Sequence, residues 1–212
     1  ASHPALDWVY VGGEFDTATN ADGSTVSVRN LARYNLRTGR WASVQGGTSG
    51  PVYALEAVPF KHLVLDNLSG GLDAHTIYVG GRFAQVFDGA GTPTDVQNVA
   101  WRGADGQWRG FAGGTAGPVY ALEVMAGREF TGRGFERCGE ITAPDVYVGG
   151  AFTSVTSNGP QVPASNIALA TVYPGGTQWT VLGRPFGQGA AGTPGTGVNG
   201  TVRSLRTIGP QS

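Results

Sequence analysis

Apolar positions in this chain alternate with polar ones over short runs and nowhere keep helical spacing. The run at residues 9–15 (VYVGGEF) is rich in β-branched and aromatic residues and closes on a glycine pair. It returns at residues 77–83 (IYVGGRF) and 146–152 (VYVGGAF). The first glycine of the pair stands at Gly12, Gly80 and Gly149, in steps of 68 and 69, and an asparagine follows at Asn30, Asn98 and Asn166, in steps of 68 and 68. A fixed period of this length means one supersecondary unit copied along the chain.

Each copy predicts four strands, which we label a to d. Strand b is the run that ends at Gly12–Gly13, Gly80–Gly81 or Gly149–Gly150, where the missing Cβ leaves room for another backbone. Strand c starts at the asparagine: 30–36, 98–102 and 166–172. Strand d surrounds Trp41, Trp108 or Trp179, after a turn such as Arg37-Thr38-Gly39. Strand a is PVYALEAV (51–58), PVYALEVM (118–125) and TVRSLRTI (201–208), with Pro51 and Pro118 at the first strand position, where a lost N–H costs least. No run keeps a 3.6-residue period and no capped run reaches helical length, so the fold class is all-β. The units divide the chain into 1–58, 59–125 with a long a–b connector at 59–76, and 126–212 with a connector at 126–145 and an insert at 184–199.

Composition narrows the classes. The chain has 212 residues, a net charge of -1 and 14% charged residues, so it carries no footprint for nucleic acid or an anionic membrane. Its 36 glycines show no collagen period, and they cluster at turns and strand ends. Cys138 is alone, which rules out an internal disulfide and a cysteine metal cluster. Apolar stretches are of strand length, so membrane insertion is not expected. Residues 1–8 lack the basic start and apolar middle of a secretory signal, and we expect a processed or truncated N-terminus.

The glycine-pair strand, the asparagine strand, the Thr-Gly-type turn and the tryptophan strand together resemble the kelch repeat. The longer form, VYVGG-x-F, then Asn-x-Ala, Trp and G-x-V-x-A-L, is similar to the delta-sixty type of repeat. The resemblance covers residues 9 to about 208. It implies four-stranded antiparallel blades of a β-propeller of the galactose-oxidase-like superfamily, as in secreted repeat proteins and fungal cell-cortex polarity markers. Read this way, three blades run in the phase b-c-d, a-b-c-d, a-b-c-d, a: a partial or oligomer-completed propeller. The period of 68 exceeds the roughly 50 residues of a kelch blade, and the excess lies in connectors 59–76 and 126–145.

Candidate chemistry is sparse. Asp16, Asn20 and Asp22 offer hard oxygen atoms to calcium, but such residues also build turns by bonding their own backbone, which is the reading we adopt. His3, His62 and His75 are scattered, no G-x-S-x-G elbow occurs, and no metal or cofactor is expected. Tyr10, Tyr78 and Tyr147 recur with Phe15, Phe83, Phe152 and the three tryptophans at matched positions, which favours packing between units over sugar stacking. Asn30, Asn98 and Asn166 are expected to bond the backbone of the preceding b–c loop. The rim formed by connectors 59–76 and 126–145 holds candidate binding residues Phe60, His62, Arg128, Phe130, Arg133 and Phe135. Asn67 and Asn199 head glycosylation sequons.

The reading that results is a non-enzymatic extracellular or cell-surface structural or adhesive protein. It would bind another protein or copies of itself through rim loops and open strand edges. The alternative is a carbohydrate-binding propeller, and the third is an enzyme with its site in connectors 59–76 and 126–145.

Overall fold

The computed structural model describes residues 8–59, 75–103, 105–125, 144–157, 159–173, 176–180, 182 and 197–206. All regular structure in them is β. Grouped by sheet, so that each strand a goes with the b strand it pairs with and not with the residues before it, unit 1 contains β1 (Trp8–Gly12), β2 (Thr17–Thr19), β3 (Thr25–Ser27), β4 (Leu31–Asn35), β5 (Arg40–Ser43) and β6 (Gly47–Thr48). Unit 2 contains β7 (Val52–Pro59), β8 (His75–Gly81), β9 (Gln85–Phe87), β10 (Pro93–Asp95), β11 (Val99–Arg102) and β12 (Trp108–Gly110). Unit 3 contains β13 (Val119–Met125), β14 (Asp145–Gly150), β15 (Ser154–Thr156), β16 (Gln161–Pro163), β17 (Ile167–Tyr173) and β18 (Gly176–Thr180).

Main sheets follow chain order and are antiparallel. Unit 1 has β1-β4-β5, unit 2 has β7-β8-β11-β12, and unit 3 has β13-β14-β17-β18. These are strands b-c-d, a-b-c-d and a-b-c-d. Register repeats residue for residue: Val11 faces Ala32, Val79 faces Ala100, and Val148 faces Ala168. The tryptophans match as well, with Trp41 opposite Tyr34, Trp108 opposite Arg102, and Trp179 opposite Ala170.

Two expectations need correction. Residues 201–206 form no strand, because no b strand lies beside them among the described residues to supply ladder hydrogen bonds. The insert at 184–199 is too long at its end: Gly197 and Val198 occupy the turn that Gly47–Thr48 and Gly114–Thr115 make in the other units. Asn30, Asn98 and Asn166 each bond that turn in the same way.

The b–c loops are more regular than their Thr/Gly/Asn composition suggests. Each folds into a hairpin: β2–β3, β9–β10 and β15–β16. Turn residues such as Asn20-Ala21-Asp22-Gly23, with Gly23 at a φ of 80, close the first.

The core lies between units, because strand alternation sends successive side chains to opposite faces. Ile77 and Val79 of β8 point toward unit 1 and pack with Leu31 and Val44, whereas Tyr78 points the other way and packs with Phe111, Val146 and Val148. A sheet covered on both faces needs an unbroken apolar run, and IYV supplies it. Among the described residues, none covers one side of unit 1. Val9 is 44% exposed, while its equivalents Ile77 and Val146 are fully buried.

Candidate functional site

The recurring glycines and asparagines are the parts of a joint, and the joint is the most constructed feature of the molecule. A Cβ on Gly12, Gly80 or Gly149 would run into the Cγ1 of Val52, Val119 or Val202. Each a segment thus leans its valine on the b strand of the unit before it. Backbone bonds fix the contact: Val52 N–H donates to Gly13 O and Val202 N–H donates to Gly150 O, both at 3.0 Å. The second glycine of the pair serves the other neighbour. A Cβ on Gly81 or Gly150 would strike the carbonyl oxygen of Pro51 or Pro118, which begins the strand pairing with it.

The asparagines tie two loops together. All three adopt left-handed backbone, with φ of 69, 63 and 63 for Asn30, Asn98 and Asn166, a conformation that asparagine tolerates better than most residues. Their Nδ2 groups donate to Thr48 O at 3.2 Å, Thr115 O at 2.9 Å and Val198 O at 2.8 Å. Asn30 also accepts from Phe15 N–H at 3.3 Å, the expected bond to the b–c loop. The stronger and fully repeated role, reaching forward to the d–a turn, was not evident from the sequence.

That turn then receives the next unit. β6 pairs with β9, and Thr115 bridges to Val155. Ser49 Oγ accepts from Ala84 N–H at 3.1 Å and Gln85 N–H at 3.0 Å, and Ala116 N–H donates to Ser154 O at 3.0 Å. The b–c and d–a loops therefore share one rim. Beside the joint of units 2 and 3, clefts of about 420 and 410 Å³ open on this rim, both lined by Ala84 and Gln97.

Strand a residues form rows from unit to unit. The rings of Tyr53 and Tyr120 lie 5.2 Å apart, and the Arg203 guanidinium sits 5.4 Å from the centroid of Tyr120. One turn of the pattern further on come Glu56, Glu123 and Arg206, with Arg206 Nη1 3.9 Å from Glu123 Oε2. Partial burial raises the pKa of Glu56, and the Glu123 carboxylate adds to the shift.

The matched aromatics pack between units. Trp179 Nε1 donates to Phe111 O of the preceding unit at 3.0 Å, with the two rings 5.9 Å apart. Trp108 is also buried, though less completely, and its Nε1 finds no hydrogen-bond partner among the described residues.

The other candidates fall as follows. Asn20 donates from Nδ2 to Ser24 Oγ and accepts from Trp41 N–H at 2.8 Å. Asp22 accepts from the Ser24 hydroxyl and N–H and pairs with Arg40 at 2.9 Å. Those bonds, the Ser24 hydroxyl first, hold the Asp22 carboxyl down to about 2. Asn20 thus spends its side-chain oxygen on β5, Asp22 divides its two between the hairpin turn and Arg40 of β5, and Asp16 accepts Val28 N–H through its backbone. Asn199 is exposed in the last turn. Among the described residues, no three His, Cys, Asp or Glu side chains converge. Phe60, His62, Asn67, Arg128, Phe130, Arg133, Phe135, Cys138 and His3 lie outside the described residues. Comparison with known proteins finds no matching family model, no similar curated protein and no similar solved structure.

Proposed function

We propose that this chain is a non-enzymatic repeat scaffold of kelch-like propeller blades. Its role is to associate with another protein or with copies of itself, outside the cell or at its surface. The observation that carries this reading is the uncovered face of unit 1. It keeps the joint residues Gly12, Gly13 and Asn30 and the apolar pair Val9 and Val11, yet Val9 stays 44% exposed where the equivalents are sealed. An open strand edge above such a face is a template for further pairing. The resemblance to secreted and cell-cortex repeat proteins supports the extracellular placement.

Light scattering coupled to size-exclusion chromatography tests the role. The expected mass lies above the 21.9 kDa of one chain. A monomer at every concentration that binds glycans saturably on an array would overturn association and leave the carbohydrate-binding alternative.

A further inference from the structure

Resting on that association role, we infer that the open face of unit 1 seats residues 197–206 of a second copy of this chain, joined head to tail as unit 2 is joined to unit 1.

The head is built for such a segment. Gly81 and Gly150 are required because the carbonyl of Pro51 or Pro118 passes where their Cβ would be. Gly13 holds the same place in unit 1, but a Cβ there meets only the ring of Phe15. Arg82 N–H donates to Pro51 O at 3.0 Å and Ala151 N–H to Pro118 O at 2.9 Å. The equivalent N–H, that of Glu14, has no such carbonyl beside it among the described residues. The outer edge of β2 repeats the point: its equivalent β9 pairs with the d–a turn β6, whereas among the described residues β2 pairs with β3 alone.

The tail has the matching parts. Residues 197–206 read GVNGTVRSLR against GTSGPVYALE at 47–56, with glycine, glycine, valine and leucine at the same places. They already form one half of a joint, with Val202 and Leu205 over Gly149 and Val202 N–H bonded to Gly150 O. The other half, pairing with a b strand, is open. By the register of β7 on β8, Ser204 would face Gly12, Leu205 would face Val11, and Arg206 would face Tyr10.

Charge selects the tail of a copy over a generic strand. A segment in this seat lies beside β7, and so places its fifth joint residue next to Glu56, on which Glu123 and, with opposite sign, Arg206 of the same chain already act. The two internal a strands carry glutamate there, but the tail carries Arg206, which already pairs with Glu123 in its own chain. Arg203 likewise comes beside Tyr53, as it sits on Tyr120 now. The contact is heterologous, so it either closes a ring or extends a filament. Either outcome raises the mass above that of one chain.

The test uses the intact chain in sedimentation and light scattering, with two disabled heads, Gly13→Val and Val9→Arg, and one disabled tail, Arg203→Glu/Arg206→Glu. Val9 is already open to solvent, so its variant keeps the test valid if Gly13→Val fails to fold. The native chain should run above 21.9 kDa, each variant alone at the monomer mass, and a head variant mixed with the tail variant should form a one-to-one dimer. Assembly untouched by all three variants overturns the joint while leaving association intact. A strictly monomeric native chain overturns the joint and self-association together, and leaves association with another protein. A monomeric native chain that binds a synthetic peptide of residues 197–206 would assign the seat to another repeat of this pattern, and overturns the second copy as its occupant.

Discussion

At the scale of single residues, the joint depends on side chains that no larger group can replace. Asn98 combines a left-handed backbone with a 2.9 Å bond to Thr115 O. Asn98→Ala loses both, at a cost of about 2 kcal/mol. Asn98→Gly loses only the bond and should fall between alanine and the native residue in urea unfolding. A glycine variant no better than alanine would show that φ contributes nothing. Glu56 makes a second case, through pH. Folding raises its pKa above the ordinary 4.5, first by burial and then through Glu123. A carboxyl shifted upward adds stability that is complete below 4.5 and disappears as pH rises through the raised value. Glu56→Gln, which mimics the protonated form, should therefore stabilise the monomer at pH 7 and make little difference below pH 4.5. Denaturation midpoints at both pH values check the sign.

At the scale of elements, strand alternation decides which unit each side chain serves. The d strands show the consequence. Trp179 packs on Phe111 and donates to its carbonyl, while Trp108 is enclosed with an unpaired Nε1. Trp179→Phe should cost about 1–2 kcal/mol more than Trp108→Phe, since only the first breaks a buried hydrogen bond. Thermal unfolding of the two variants measures the difference, and equal losses would mean that ring volume alone matters. The paired strands b, c and d were legible in the sequence because each carries a marker that returns at the repeat period: the run before the glycine pair, the asparagine and the tryptophan. The small hairpins were not. Three-residue strands such as TAT and TVS are too short for alternation to stand out, and their turn residues suggest only a loop. A comparison of the three copies holds the missing signal: Ala18, Val86 and Val155 sit at one position and grow more buried once a neighbour covers them.

At the scale of the whole molecule, stability should follow the number of neighbours, as in other repeat proteins. β8 and β14 are each bonded on both edges, by β7 and β11 and by β13 and β17, whereas among the described residues β1 is bonded by β4 on one edge. Hydrogen exchange on the monomeric head variant should show the lowest protection in β1, rising through β8 and β14. Uniform protection across the three strands would mean that the units unfold as one block and that the open edge carries no penalty.

The amino-acid sequence by itself determined the period, the all-β class, the phase of the strands and the residues that recur. These are local properties: a β-branched run, a glycine pair and a turn declare themselves without neighbours. The tertiary structure alone decided what the recurring residues are for. Gly81 admits a carbonyl that lies thirty positions back in the chain, and Asn98 holds a turn seventeen positions ahead. Val9 and Ile77 share one pattern, yet one is open and the other sealed. Burial depends on which sheet lies opposite, and a linear pattern does not contain that contact.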